Sequence, residues 1–426
     1  MTAQKFLLSI LLFVIFGCSK KENTLFVTLS PSKTGVNFEN KIESSVNLNI
    51  LNYIYYYNGA GVASADFNND NLIDLYFVGN QISDELYLNK GDFKFEDISD
   101  KANINSNSSW NTGVTMVDIN NDGFLDIYVC SVSGLLDFTG HNELFINNGD
   151  GTFTDVADEL GLLVNLISWG TNFIDYDNDG LIDLYVVASC ISGTGNDGSL
   201  GCSWNGGQSD VLPTNNVLFQ NQGNGQFIDI SDQSGLEGPY LTTGSAIGDI
   251  NNDGLIDIYE VNELDPFSPA SNYCRLYRNN YAEVTSEINN WIKVKLEGVE
   301  SNRNGIGSRI EVSNLGVTQI QDVICGDSYS SQSSLTLSYG MRHSELAEAI
   351  TVRWPSGIVD ELYNIEVNQI IIIQEGNGQP CNDLGNLNDD YNEDDGAPIF
   401  NVLDIILLAN CVLVENCGLN PDGTNA

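Results

Sequence analysis

The stretch GSAIGDINNDGLIDIYE, from Gly244 to Glu260, sets oxygen-bearing side chains at Asp249, Asn251, Asp253 and Asp257, positions 1, 3, 5 and 9 of a short loop. Gly254 at position 6 permits a sharp turn, and the carbonyl of Leu255 at position 7 adds a further inward oxygen. A hard, flexible cation such as calcium takes an oxygen cage of this kind. The same register occurs three more times, as Asp66, Asn68, Asp70, Leu72 and Asp74, as Asp118, Asn120, Asp122, Phe124 and Asp126, and as Asp175, Asp177, Asp179, Leu181 and Asp183. The loops start 52, 57 and 74 residues apart, which marks a repeat architecture. Single Asp/Asn/Gly turns are common surface features, but four in one register point to four calcium sites.

Each loop has a Gly five residues before it (Gly61, Gly113, Gly170 and Gly244) and ends in Asp-Leu-Tyr or Asp-Ile-Tyr. The flanks are short, apolar and β-prone, so the loop is predicted to join two strands rather than two helices. A second element follows in each copy: Leu86-Tyr87, Leu144-Phe145, Leu218-Phe219 and Leu276-Tyr277, each with an Asn close behind. In the first three copies a Gly-rich hairpin comes next, ending in a Phe-anchored strand. A unit thus offers about four short strands, the content of one propeller blade. The fourth copy lacks the hairpin. Phe26-Val27-Thr28-Leu29, followed by Gly35, resembles the missing strands, so the first strand of the chain is predicted to complete the last blade and close the ring.

These residues resemble the FG-GAP/VCBS repeats of integrin-type β-propellers, in which the Asp-rich loop binds calcium. The resemblance implies an all-β propeller over residues 34–289. Four visible units suit four or five blades. The third loop carries four carboxylates and the others three, which ranks it as the tightest site.

From Asn290 six alternating strands, WIKVKLEG to QIIIIQEG, predict a small β-sandwich or barrel over 290–376. Ser301–Gly307, Gly326–Gln332 and Trp354–Gly357 together resemble the ASPIC/UnbV domain that follows such repeats in bacterial relatives of cartilage acidic protein. In the tail, 377–426, Asp390, Asn392, Asp394 and Asp404 resemble one dockerin-type repeat, which implies a fifth calcium and a cohesin-like partner. Its loop is three residues longer than the usual twelve and has no second copy; the other reading is an acidic linker with an amphipathic helix.

The N-terminus carries one Lys before an apolar run from Phe6 to Phe16, too short to span a bilayer. It ends in Ile15-Phe16-Gly17-Cys18, which resembles the bacterial lipobox. Residues 1–18 are therefore expected to be a lipoprotein signal peptide with Cys18 lipidated, and 19–33 a tether and first strand. Of nine cysteines eight remain, and an even number in an exported chain suggests disulfides. Cys190 and Cys202 are the most plausible local pair, and Cys411 with Cys417, or either with Cys381, would staple the tail. No C-x-x-C pair occurs and there are two His, which argues against a Cys/His zinc site. With 16 Lys and Arg against 58 Asp and Glu, the charge of −42 disfavours nucleic acid or an anionic membrane surface as partner.

Gly326-Asp327-Ser328 looks like the nucleophile block of some serine esterases, but its downstream His343 has no Asp three residues before it. No paired acid and base stand apart from the loops. The expectation is therefore a non-catalytic, calcium-binding surface protein for adhesion or capture of protein or glycan. It would sit in a bacterial cell envelope, at the outer membrane or cell surface, touching the membrane through a lipid anchor only. The insertion Ser189–Pro213, with Trp204, is the best contact loop. The alternatives are a calcium-dependent lyase or hydrolase acting on polysaccharide, and a purely structural envelope protein.

Overall fold

Short runs of β-branched and aromatic residues, interrupted by Asn, Asp and Gly, make strands the dominant element. The computed structural model describes residues 25–378, apart from 54, 71, 107–109, 134–137, 165–166, 190–215, 224, 237–241, 263–273 and 286–287. The expected lipidation site Cys18, the pair Cys190 and Cys202, the Trp204 loop and the acidic tail with Asp390, Asn392, Asp394 and Asp404 lie outside the described residues.

Each repeat unit folds into its own sheet, with strands in chain order. The first contains β1 (Val62–Ala65), β2 (Asp74–Phe77), β3 (Glu85–Asn89) and β4 (Phe95–Asp97). The second contains β5 (Asn111–Val117), β6 (Asp126–Ser131), β7 (Glu143–Asn147) and β8 (Phe153–Asp155). The third contains β9 (Ile167–Ile174), β10 (Asp183–Ser189), β11 (Val217–Asn221) and β12 (Phe227–Asp229). The fourth has three strands, β13 (Thr242–Gly248), β14 (Asp257–Asn262) and β15 (Arg275–Tyr277). The Asp-rich loop joins the first two strands of every sheet.

The sheets are separate and open, and each packs face to face on the next. The period of two along a strand explains how. In β6, Ile127 and Val129 enter a core shared with the first sheet, while Tyr128 and Cys130 enter one shared with the third. In β10, Leu184 and Val186 face the second sheet, and Tyr185 and Val187 face the fourth. A strand between two layers is apolar on both faces, which is why β6 and β10 run on from the signature Asp as DIYVC and DLYVVA without a charged alternate.

Phe26–Leu29 does not complete the fourth sheet. It forms no strand, and Phe26 and Val27 are 91% and 69% exposed. The chain just after it covers the first sheet instead: Phe38 stacks on Phe77 at 5.0 Å and Asn40 Nδ2 donates to Asn80 Oδ1 at 2.7 Å. Resemblance to FIDI identified a strand-like pattern, but among the described residues no strand pairs with it. Among the described residues the fourth sheet ends at β15, with Tyr259 and Leu276 about half exposed on its outer face.

The second domain is a two-sheet sandwich of seven strands around one core that includes Ile292, Val294, Val312, Tyr339 and Val352. Its sheets are β19–β16–β22 and β18–β17–β20–β21, from β16 (Asn290–Glu297), β17 (Arg309–Asn314), β18 (Val317–Asp322), β19 (Leu337–Arg342), β20 (Leu346–Arg353), β21 (Val359–Glu366) and β22 (Gln369–Gln374). The unforeseen seventh strand is β21, VDELYNIE, whose acidic alternates mask its pattern. Glu375 ties two of the distinctive stretches together, accepting from Ser301 Oγ at 2.6 Å and Ser356 Oγ at 2.5 Å. Trp354 Nε1 donates to Asp360 at 2.7 Å. The expectation of general disulfide bonding is corrected at three positions: Cys130, Cys274 and Cys325 are free, and Cys130 is packed among apolar side chains of the second core.

Polar side chains stitch consecutive sheets at both ends. Near the loops, Asn147 Nδ2 donates to the Phe67 carbonyl of the preceding unit at 2.8 Å, Asn221 to Ile119 at 3.5 Å and Asn279 to Tyr176 at 2.7 Å. At the opposite end Asp84 accepts from Asn111 at 3.2 Å, Asn142 donates to Ser168 at 2.8 Å and Asn216 to Thr242 at 3.2 Å. Removing one partner of a buried hydrogen bond leaves the other unsatisfied, at a cost of about 1–3 kcal/mol. Asn147→Ala is therefore expected to lower unfolding free energy by roughly that amount in chemical denaturation, and the exposed Asn148→Ala by less than about 0.5 kcal/mol. Equal effects would contradict the latch.

Candidate metal centres

The four loops share one hydrogen-bond pattern. The carboxylate at position 1 accepts the N–H of position 5, at 3.0 Å in Asp66, Asp118 and Asp175 and 3.1 Å in Asp249. In the last three loops its other oxygen accepts the Gly N–H at position 6, at 2.9, 2.9 and 2.8 Å. Position 5 then accepts the N–H of position 7: Asp70 from Leu72, Asp122 from Phe124, Asp179 from Leu181 and Asp253 from Leu255. At position 3, Asn68, Asn120, Asp177 and Asn251 each accept the position-5 N–H. Position 4 is Asn69, Asn121, Asn178 or Asn252, all at φ 57–59°, a left-handed conformation that Asn tolerates better than most residues.

The position-9 carboxylates are buried at 0–2% exposure and bind in two directions. One oxygen accepts the N–H of position 2: Asp74 from Phe67, Asp126 from Ile119, Asp183 from Tyr176 and Asp257 from Ile250. The other accepts, at 2.8 Å in every unit, the N–H of the Asn that ends or follows the third strand: Asn89, Asn147, Asn221 and Asn279. These Asn and the left-handed Asn at position 4 escaped the sequence reading as functional residues. Their recurrence at one offset in all four units was the available signal.

In the third loop, ligand oxygens of Asp175, Asp177 and Asp183 come within 4.8 Å of one another, and all three residues are buried. Burial pushes Asp175 and Asp183 well above the usual carboxylate range, and neighbouring carboxylates add to it. Burial also raises Asp177, and raises Asp179 to about 6. In the other loops burial lifts Asp74 and Asp118 to about 6 and Asp126 to about 8. Carboxylates gathered out of water need protons or a cation to match their charge. An all-oxygen donor set suits calcium better than zinc or copper, so the residues of the third loop fit the ion.

The second domain meets the loops with basic side chains. Arg309 Nη1 donates to Asn69 Oδ1 at 2.9 Å while its Nε pairs with Asp322 at 2.9 Å. Arg342 donates from its backbone to the Asn178 carbonyl at 3.1 Å and from its side chain to the Asp179 carbonyl. Lys293 forms an ion pair with Asp249. Gly326–Gln332 wedges against the first strands of units three and four, β9 and β13. A Cβ on Gly170 would lie 2.5 Å from Tyr329 N, and one on Gly244 2.8 Å from the Tyr329 carbonyl, so two of the pre-loop glycines serve this close approach. Ser328 Oγ lies 3.3 Å from Ser245 Oγ at this contact.

Comparison with known proteins places an FG-GAP-like repeat at residues 66–129 and 132–186, and an ASPIC and UnbV domain at 298–380. The chain thus contains FG-GAP-like repeats and an ASPIC/UnbV domain. It is 27% identical over 227 residues to cartilage acidic protein 1 of Xenopus tropicalis, in a match covering 47% of this chain and 30% of that protein. Among solved structures, the biofilm matrix protein Bap1 of V. cholerae aligns with 72% of this chain and 59% of its own, at 9% identity and a TM-score of 0.23. The fourth loop lies beyond the repeat match, yet has the hydrogen bonds of the other three.

The raised carboxylates give a pH dependence of defined sign. Their folded values lie above the ordinary value near 4, so the cation-free fold is most stable at low pH. It loses that stability as pH rises through about 6 for Asp74, Asp118 and Asp179 and about 8 for Asp126. In chelator, the melting temperature is expected to fall between pH 5 and pH 8 by on the order of 5 °C or more, and calcium should abolish the fall. A flat profile in chelator contradicts this electrostatic account.

Proposed function

We propose that this is an exported, lipid-anchored, calcium-stabilised binding module for adhesion or capture of protein or glycan at a bacterial cell surface, and that it is not an enzyme. The observation that carries the calcium reading is the convergence of Asp175, Asp177 and Asp183. FG-GAP-like repeats joined to an ASPIC/UnbV domain support an extracellular binding role. The four stacked sheets support a propeller-type arrangement of blades, with the second domain lying across their inner strands and loops. Calcium acts here as a brace: it neutralises the carboxylates and fixes the turn between the first two strands of a blade.

The surface best suited to a ligand is the cleft between the inner strands and the second domain. It is a cavity of about 670 Å³ bordered by Tyr55, Asn58, Trp169, Asp327 and Tyr329, a mix of aromatic faces and polar groups suited to a sugar or a peptide. Calorimetric titration of Asp→Ala variants at each position 1 tests the metal reading. Asp175→Ala should lose the highest-affinity calcium event, about tenfold or more tighter than the rest, because its loop has four carboxylates. Equal losses at Asp66, Asp118 and Asp175 would contradict the ranking. Capture of surface proteins and glycans in calcium and in chelator tests the binding reading. Calcium-dependent capture supports it, whereas release of unsaturated uronates from polysaccharide would replace it with catalysis.

A further inference from the structure

The fourth loop differs from the third in what its position-1 carboxylate touches. β16 is the first strand of the second domain, and its period of two sends Ile292, Val294 and Leu296 into the sandwich core. Trp291, Lys293 and Lys295 fall on the outer face. Lys295 is exposed as expected, but Lys293 is buried at 2%. The fourth loop covers it: Lys293 Nζ pairs with Asp249 Oδ2, and the two side chains are each 3% exposed. Lys293 Nζ also lies 4.7 Å from the centroid of the Trp291 ring, whose negative face favours a cation. Trp291 crowds position 6 so closely that a Cβ on Gly254 would overlap its indole nitrogen. In the third loop, by contrast, Arg342 goes to the Asp179 carbonyl and leaves the converging carboxylates to one another.

An ammonium and a divalent ion cannot share one buried carboxylate oxygen, because both need its charge and each repels the other. A buried lysine whose charge is not offset carries a large desolvation penalty, and Lys293 Nζ is buried without a hydrogen-bond partner among the described residues, so the paired Asp249 carboxylate is what offsets its charge. We propose that Lys293 is the resident cation of the fourth loop: its ammonium takes the place that calcium takes in the other loops, and the cage has become the dock of the second domain. The proposal rests on the calcium reading of the other loops.

Counting calcium bound to the full-length chain, by equilibrium dialysis and elemental analysis, separates the two claims through differences from wild type. Asp175→Asn should lose one ion, Asp249→Asn should lose none, and Lys293→Met should gain one. Loss of an ion in Asp249→Asn, or no gain in Lys293→Met, overturns the proposal while leaving the calcium reading intact. No loss in Asp175→Asn defeats the calcium reading and the proposal with it. Melting in chelator reads the same variants without metal. Asp249→Asn strands a buried ammonium and should lower the melting temperature, whereas Asp175→Asn relieves carboxylate repulsion and should not. Equal behaviour of these two variants in chelator also overturns the proposal.

Discussion

The carboxylate at position 9 of each loop is the contact on which the repeat depends. Asp74, Asp126, Asp183 and Asp257 are buried at the start of the second strand of their sheets, where each accepts one N–H from its own loop and one from the Asn that ends or follows the third strand. That pair of bonds fixes the loop against the sheet, and sets the Asn whose side chain reaches the preceding unit. The latch between sheets and the curl of the loop, and in the third unit the convergence of its ligands, thus follow from one ionisable group per unit. Its charge is also the weakness of the design, since burial raises Asp126 to about 8. The divalent ion proposed for the centre of the loop would relieve that cost without loosening the hydrogen bonds.

Charge complementarity extends the same logic to the second domain. The chain has few basic residues, yet Arg309, Arg342 and Lys293 all lie where the sandwich meets an acidic loop. The sandwich places them on β17, β19 and β16, and backbone contacts such as Arg342 N–H to Asn178 reinforce the dock. The Gly326–Gln332 wedge adds steric fit, because β9 and β13 present glycine where Tyr329 passes. The cleft between two parts so joined is preorganised, and preorganisation reduces the ordering that any ligand would have to impose.

Much of this was legible in the sequence, and the limits have physical causes. The 1-3-5-9 register located every loop and the strands on either side, because local turn chemistry is encoded locally. The apolar, β-prone flanks were legible as strands, whereas the burial of β6 and β10 on both faces emerged only with the stacked sheets. What needed the third dimension was any partner far along the chain: Asn147 with Phe67 spans 80 residues, and Lys293 and Asp249 come from different domains. Alternation in WIKVKLE places Lys293 on the outer face of its strand, and nothing local in the sequence marks the loop that covers it. The closing strand at Phe26–Leu29 failed for a related reason. A strand pattern states what a segment can pair with, whereas pairing also requires an open edge within reach, and the following residues are held on the first sheet by Phe38.

Diffraction from crystals of the full-length protein grown in calcium, recorded at a wavelength where calcium scatters anomalously, tests the central claim most directly. The account predicts an anomalous peak among Asp175, Asp177, Asp179 and Asp183, with oxygens at about 2.3–2.6 Å, and weaker peaks at the first two loops. An absence of signal at the third loop, with its carboxylates still converged, would contradict it.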